Sequence, residues 1–346
     1  MTPENRTYYF DFLRVAACFA VIVRHVAEFQ LDIMNMRVFD WQVLVFYDGA
    51  LVRWAVPIFV MISGALFLKP GKNIPVKTIY SKYVLRIATA LVFWSFIYAA
   101  GSYVNNRDIV RSIDNFIRGH YHLWFLFMIM GLYMILPLFR HIAESEFLTK
   151  YFLILALIFT YILPECADIV SLFSEEYASS IGGISENFHM YFTAGFTGFF
   201  LLGHFLNQAD ITPKAERWIY FAGLCSFAVN GLMLAYVPII TGKPYNPVYV
   251  APKIWQSNIF VTIAVFVFFK RHCKRENMLV RRLSQYSFGA FLVHAIVIVV
   301  LQKLGLHSLT FNPVFSVPVI SVIVCIISFG ISAVLNHIPV LNKYIV

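Results

Sequence analysis

Apolar runs of about twenty residues, separated by short polar segments, recur along the whole chain. A helix needs about 20 apolar residues to cross a hydrocarbon core of roughly 30 Å, and the chain lacks the strand-length alternation of a membrane β-barrel. The pattern therefore predicts an all-α polytopic membrane bundle of about ten transmembrane helices, folded as one domain over residues 1–346 without an appended soluble domain. The predicted spans are residues 9–31, 47–68, 84–104, 122–140, 150–169, 189–207, 217–240, 254–270, 284–303 and 314–336.

Composition supports a membrane protein and argues against several other classes. The chain is 60% hydrophobic and 13% charged, whereas soluble domains carry about 25% charged residues. The net charge of +9 comes from basic residues in the segments between apolar runs, where they set orientation in the bilayer rather than bind nucleic acid. The five cysteines include no C-x-x-C pair, so we expect no metal site and no redox disulfide.

Lys and Arg in the connections predict the orientation, because cytoplasmic loops carry an excess of both. With the N-terminus inside, the inner segments hold sixteen Lys and Arg, and the outer segments hold seven. The outer segment 165–186 has five acidic residues and no Lys or Arg. Ten helices with both termini in the cytoplasm fit this distribution. Two longer connections are predicted, at 166–188 and in the Pro-rich segment 241–253.

The first predicted helix carries a polar stripe. Arg14 and His25 are eleven positions apart, which places them about 20° apart in direction and about 16 Å apart along a helix axis. Asp11 and Glu28 fall on the same stripe. Asp11, Arg14, Arg24 and His25 also interrupt the apolar region that a cleaved signal peptide requires. Because ionisable groups inside a bilayer are costly, the stripe predicts a polar cavity, as in a catalytic site or in the pathway of a transporter.

Two further segments contribute histidines. His122 lies in the segment 119–127, near the outer mouth of the fourth predicted helix, and His294 lies near the midplane of the ninth. An aromatic at the end of a spanning helix is typical of an interfacial belt, so Trp124 is interpreted first as a belt residue and second as a stacking residue for substrate.

Four motifs in this order resemble the acyltransferase-3 family of multipass membrane proteins. They are Arg14 followed after ten residues by His25, PIFVMISGALF at 57–67, HLWFL at 122–126 and SQYSFGAFLVH at 284–294. The chain is similar in particular to short, single-domain members that O-acetylate bacterial surface polysaccharides and lipid-linked glycans. The resemblance runs from residue 8 to about residue 300.

The resemblance implies an O-acyltransferase of the bacterial cytoplasmic (inner) membrane that uses acyl-CoA, usually acetyl-CoA, as co-substrate and holds no bound cofactor. It implies that a sugar hydroxyl accepts the acyl group. Carried over residue by residue, it places the primary site at Arg14 and His25, the second motif at His122 and Trp124, and the third at Ser287 and His294.

The chain departs from the family pattern in the basic loop after the second helix. Family members often have an arginine pair there, whereas this chain has Lys77, Lys82 and Arg86. We expect Lys82 and Arg86 to bind the donor in place of that pair.

The residue types on the first helix suit acyl transfer to a hydroxyl. Imidazole is largely neutral at cellular pH, so His25 is the expected base for the alcohol proton, with Glu28 one turn on as its orienting partner. His25 is alternatively a nucleophile that carries the acyl group itself. The planar fork of Arg14 suits a CoA phosphate or pantetheine carbonyl, and the structural alternative is a salt bridge to Asp11.

A different functional class fits the same stripe. A secondary transporter or exporter of a glycan or small molecule would use these groups to line its pathway. Transporters of this kind usually contain two related halves with paired broken helices, and no such internal symmetry is evident in the sequence.

The predicted orientation can be tested with reporter cysteines in a background without the native ones. A cysteine at Ser179, within the acidic outer segment, is expected to react with a membrane-impermeant thiol reagent added from outside the cytoplasmic membrane. A cysteine at Asn277, in the basic segment 270–282, should react only after that membrane is opened. Reversed labelling would contradict the orientation.

Overall fold

A computed structural model describes residues 7–31, 36–171, 173–190, 193, 195–241 and 259–346, which are all helices, turns and connections without a strand. The predicted all-α class is confirmed for this part of the chain. The helices in chain order are α1 (Tyr9–Glu28), α2 (Val38–Val45), α3 (Ala55–Phe67), α4 (Val76–Thr78), α5 (Leu85–Asn106), α6 (Ile109–Arg118), α7 (Trp124–Met134), α8 (Leu136–Glu144), α9 (Glu146–Ala156), α10 (Leu163–Ser171), α11 (Glu175–Asn187), α12 (Thr197–Gln208), α13 (Pro213–Thr241), α14 (Ile259–His272), α15 (Met278–Lys303), α16 (Pro313–His337) and α17 (Pro339–Tyr344).

Several of these helices are long and apolar enough to cross a membrane. Within the described residues five continuous helical stretches meet this condition, and α7 with α8 makes a sixth if that bent pair is one span. The helix α1 is interrupted by charged residues and does not meet the same apolar condition. The chain is therefore a multi-pass membrane protein, while the number of ten and the orientation stay predictions. The five stretches are Val38–Phe67, Val76–Asn106, Glu146–Ser171, Met278–Lys303 and Pro313–His337.

The helices differ from the predicted spans at identifiable points. The predicted span 122–140 is bent by 59° between α7 and α8, where Pro137 at the start of α8 lacks the N–H that a continuous helix needs. The predicted connection 166–188 is largely helical, because it contains the end of α10 and all of α11. Most of the Pro-rich segment 241–253 lies outside the described residues.

In the part of the chain that the structure describes, three π-helical turns adjoin α-helices, at Phe46–Leu51, Ile79–Val84 and Leu157–Ile162. Such turns insert an extra residue into a helix and are frequent at functional sites. The turn between α2 and α3 carries the buried carboxylate of Asp48. This turn lies against α1, the helix with the polar stripe.

The helix α1 lies in the core and packs against α3, α15 and α16. Its middle carries small and branched apolar residues, and Leu13, Ala17, Cys18 and Ile22 are fully buried. Between membrane helices, packing of small residues replaces the hydrophobic effect as a source of association. The close approach is visible at Cys18, whose Sγ lies 3.5 Å from the carbonyl oxygen of Ser287 on α15.

The contact between α3 and α12 depends on two glycines. A Cβ added at Gly203 would overlap the backbone of Met61, and one added at Gly64 would overlap the carbonyl of Phe200. Both obstacles are backbone atoms, which cannot rotate away as a side chain does. The two helices therefore approach as closely as they do because both positions lack a side chain.

We expect Gly203→Ala to destabilise the protein by roughly 1 to 3 kcal/mol, the usual cost of overpacking, and to lower the midpoint of thermal unfolding in detergent. Gly131→Ala is the matched control, because Gly131 lies in α7 with open space around its would-be Cβ and alanine is the better helix former. An equal loss of stability in both variants would contradict this account of the interface.

Candidate functional site

The polar stripe of α1 is divided between two clusters at the two ends of the helix. Asp11 and Arg14 lie near its N-terminal end, and Arg24, His25 and Glu28 lie near its C-terminal end. The buried middle of α1 separates the two groups. Each cluster is completed by residues from other helices, so each is described separately.

At the N-terminal end, Arg14 contacts the carboxylate that the sequence suggested as its structural partner. Arg14 Nη1 lies 3.4 Å from Asp11 Oδ1, which is long for an ion pair. The same Asp11 oxygen accepts a hydrogen bond of 2.7 Å from the hydroxyl of Ser284 on α15. The Arg14 side chain is only partly buried. Asp11 therefore orients Arg14 without enclosing its guanidinium.

The guanidinium of Arg14 lines a cavity of about 350 Å³. The cavity is mainly apolar, with hydroxyl and cationic groups at a few points, as ligand pockets usually are. Two residues from the sequence prediction, Ser287 and Arg86, also line it. Its other polar lining groups are Ser63, Tyr83 and Tyr133.

A second, wider cavity of about 1060 Å³ begins where α3 ends. Its loop wall carries Lys69 and Lys72, and Arg140 from α8 donates hydrogen bonds to the carbonyls of Phe67 and Ile74. Burial lowers the pKa of the Lys72 ammonium, and the positive charges of Arg140, Lys69 and Lys82 lower it further. The carboxylates of Glu144, Glu146 and Asp210 line the same cavity, so its wall carries both charges.

At the C-terminal end of α1, three histidines predicted from separate motifs come together. The ring of His25 stacks on that of His294 with centroids 5.2 Å apart, and His122 meets His294 at 5.0 Å. All three are buried, with 7% of His25, 1% of His122 and none of His294 exposed. The cluster is thus assembled from α1, the connection before α7 and α15.

A fourth histidine completes this cluster and was missed from the sequence. His120 stacks on Tyr98 with centroids 4.2 Å apart, and its Nδ1 lies 3.0 Å from the Nδ1 of His122. His120 lies in the connection before α7, where burial lowers its pKa to about 4 and the neighbouring His25 contributes in the same direction. The alternation of histidines in GHYHLW was the signal that should have identified it.

Hydrogen bonds determine which ring nitrogens of the clustered histidines carry a proton and which are open to a ligand. His25 Nδ1 lies 3.0 Å from Glu28 Oε2, and His294 Nδ1 lies beside the carbonyl oxygen of Phe291. Because a carboxylate and a carbonyl only accept, each Nδ1 carries the proton, and the Nε2 of a neutral ring keeps its lone pair. The Nε2 atoms of His122 and His294 are buried without a hydrogen-bond partner among the described residues. Such atoms are available to a ligand.

The other predicted residues lie away from the histidine cluster. Trp124 is 39% exposed and packs on Phe196 with centroids 5.6 Å apart. Arg86 donates to the terminal carbonyl of Val346 at 2.8 Å. Lys82 is exposed, with its ammonium 5.7 Å from the ring centroid of Tyr83. The structure therefore brings together His25, His122, His294 and Glu28, and separately Arg14, Ser287 and Arg86.

A charged network beside His25 was also missed. Asp48, on the π-helical turn after α2, accepts from Arg24 Nε at 3.0 Å and from Arg53 Nη2 at 3.0 Å. Arg24 Nε also lies 3.8 Å from Glu28 Oε2. Glu28 is therefore shared between an arginine and His25. In the sequence, Arg24 appeared only as an interruption of an apolar run.

Comparison with known proteins identifies the family. The model of the acyltransferase-3 family, described as an acyltransferase domain, matches residues 7–337 of the 346-residue chain. No curated protein and no solved structure matches the chain. The matched range contains both clusters at the ends of α1. The chain therefore belongs to the acyltransferase-3 family and is a multi-pass membrane acyltransferase.

Proposed function

We propose that this acyltransferase moves an acyl group, acetyl in the usual case, from cytoplasmic acyl-CoA to a hydroxyl of a cell-surface or lipid-linked glycan at the bacterial inner membrane. The observation that carries the proposal is the meeting of His25, His122 and His294 at one end of α1, with Arg14 beside a cavity at the other end. Acyl transfer requires a base at the hydroxyl and a site that holds the donor. Membership of an acyltransferase family favours this reaction over transport.

The donor is assigned to the Arg14 end. The cavity of about 350 Å³ is at the small end of the range for ligand pockets, so it suits the narrow pantetheine arm rather than the nucleotide. The fork of Arg14 is suited to a pantetheine carbonyl or a phosphate. We assign the phosphates to Lys69, Lys72 and Arg140 in the wider cavity. They take the role that the sequence suggested for Lys82 and Arg86, because Arg86 donates to Val346.

The reaction is assigned to the histidine end, which lies about 16 Å along α1 from Arg14. The hydroxyl oxygen attacks the thioester carbonyl carbon, a C–O bond forms, the C–S bond breaks, and CoA leaves as the thiolate. His25 Nε2 takes the hydroxyl proton and returns it to the sulfur. Glu28 supports this role because it accepts from His25 Nδ1 and stabilises the imidazolium that forms.

The developing charge on the carbonyl oxygen needs a hydrogen-bond donor. The contact between the Nδ1 atoms of His120 and His122 requires that one ring donate and the other accept. If His122 accepts as a neutral ring, it carries its proton on Nε2, which is buried without a partner among the described residues. We assign His122 Nε2–H to the carbonyl oxygen of the thioester.

His25→Ala is expected to reduce transfer from labelled acetyl-CoA to purified glycan by roughly 100- to 10,000-fold, the usual contribution of a general base, without loss of protein in the membrane. His337→Ala is the control, because His337 is an exposed histidine at the end of α16. Near wild-type transfer by His25→Ala would exclude the base assignment. A labelled adduct on His25 after acetyl-CoA alone would instead indicate an acyl-histidine intermediate.

Arg14→Lys is expected to weaken the donor interaction, because a point charge does not replace a planar fork. Loss of one charge-assisted hydrogen bond of about 1.5 to 3 kcal/mol corresponds to a roughly 10- to 150-fold higher KM for acetyl-CoA. The same exchange at Arg282, an exposed arginine on α15, should leave KM unchanged. An unchanged KM in Arg14→Lys with lower thermal stability would assign Arg14 to the structural pairing with Asp11.

A further inference from the structure

Asp48 is a buried carboxylate between two arginines from different parts of the chain. Its side chain is 9% exposed, and its two oxygens accept from Arg24 on α1 and from Arg53 just before α3. A buried charge is tolerated only when it is paired. The π-helical turn that carries Asp48 therefore has an electrostatic connection to α1.

This connection leads to His25 in three contacts. Asp48 Oδ1 lies 3.0 Å from Arg24 Nε, Arg24 Nε lies 3.8 Å from Glu28 Oε2, and that Glu28 oxygen lies 3.0 Å from His25 Nδ1. The two arginines and the two carboxylates balance in charge. The network is thus suited to orient a neighbouring group rather than to attract an anionic ligand.

The distances indicate a competition for Glu28. Arg24 Nε lies 3.0 Å from Asp48 Oδ1 and 3.8 Å from Glu28 Oε2. The guanidinium is therefore attracted more strongly to Asp48 than to Glu28. Without Asp48, the strongest remaining partner of Arg24 is Glu28, one turn away on the same helix face. Arg24 would then occupy the oxygen that accepts from His25.

We propose that Asp48 is a positioning residue, which holds Arg24 away from Glu28 and thereby keeps His25 in the tautomer with its proton on Nδ1. The consequence for catalysis rests on the proposed function, because a base at Nε2 requires this tautomer. The tautomer itself does not depend on the proposed function. When a partner that fixes the tautomer of a base histidine is lost, the rate falls strongly even though the geometry is kept. Asp48 acts through two intermediate groups, so its effect is smaller.

The tautomer can be measured without knowledge of the acceptor. Full-length protein labelled with ¹⁵N in its histidines is studied by NMR in detergent, and the His25 signals are assigned by their loss in His25→Gln. The ring nitrogens of the two neutral tautomers have distinct shifts. We expect the protonated-Nδ1 form of His25 in the native protein and in Asp48→Glu, and a mixture of tautomers in Asp48→Asn.

Asp40→Asn is the matched control. The Asp40 side chain is also 9% exposed, and Asp40 accepts from Arg37 at 2.7 and 3.1 Å three residues earlier on its own segment. Because Arg37 is 80% exposed, Asp40→Asn should lose less stability than Asp48→Asn, and the His25 signals should keep the native pattern. If Asp40→Asn and Asp48→Asn both leave the His25 tautomer unchanged, the positioning role is overturned whatever happens to activity.

A second variant covers the case in which Asp48→Asn does not accumulate. Arg24→Gln with Asp48→Asn removes the buried pair together, so the network keeps one cation, Arg53, and one carboxylate, Glu28, and Arg24 no longer competes for Glu28. This double variant should retain the protonated-Nδ1 form of His25. Loss of that form in the double variant would overturn the competition with Arg24.

The kinetic measurement separates this inference from the proposed function. With acetyl-CoA as donor, Asp48→Asn should lower kcat roughly 10- to 100-fold, by analogy with residues that orient the histidine ligands of metal sites, with little change in the KM for acetyl-CoA. A raised KM with unchanged kcat would contradict positioning. A shifted tautomer in a protein that transfers no acyl group from any donor would support the role of Asp48 and refute the proposed function.

Discussion

Pairing of the charged groups on α1 is the constraint on which the rest of the site depends. A buried ionisable side chain is costly unless another element supplies a partner. Asp11 is joined to α15 through Ser284, and Arg24 is joined to the turn before α3 through Asp48. The same contacts that offset the cost of burial therefore fix α1 against the helices that complete both clusters.

Packing then determines which residues meet. The buried middle of α1, with Ala17 and Cys18 fully enclosed, lets α15 approach until Cys18 Sγ contacts the carbonyl of Ser287. One end of the resulting contact brings Ser287 to the Arg14 cavity, and the other stacks His294 on His25. One pair of helices thus contributes residues to both clusters.

Sequence reasoning predicted the all-α class, a polar stripe on the first helix and three of the clustered histidines, because helical periodicity and motif order are local properties. It missed His120, Arg24 and Asp48, because the contacts of these residues form only when separate segments of the chain meet in the fold. Asp48 was further obscured by the π-helical turn, because a hydropathy pattern does not reveal one extra residue in a helix. The bend between α7 and α8 was missed because Pro137 lies in a run that is apolar throughout.

The difference in exposure within the histidine cluster suggests how the proposed reaction avoids hydrolysis of the thioester. His294 and His122 are almost completely enclosed, whereas the side chain of Glu28 is 42% exposed. In the proposed reaction, a hydroxyl acceptor that enters beside Glu28 meets His25 first, and the thioester is held at buried nitrogens with little access for water. In this arrangement the acceptor displaces water as it binds. Among the described residues, the proposed base is therefore nearest to solvent on the side of Glu28, where the charged network holds it in place.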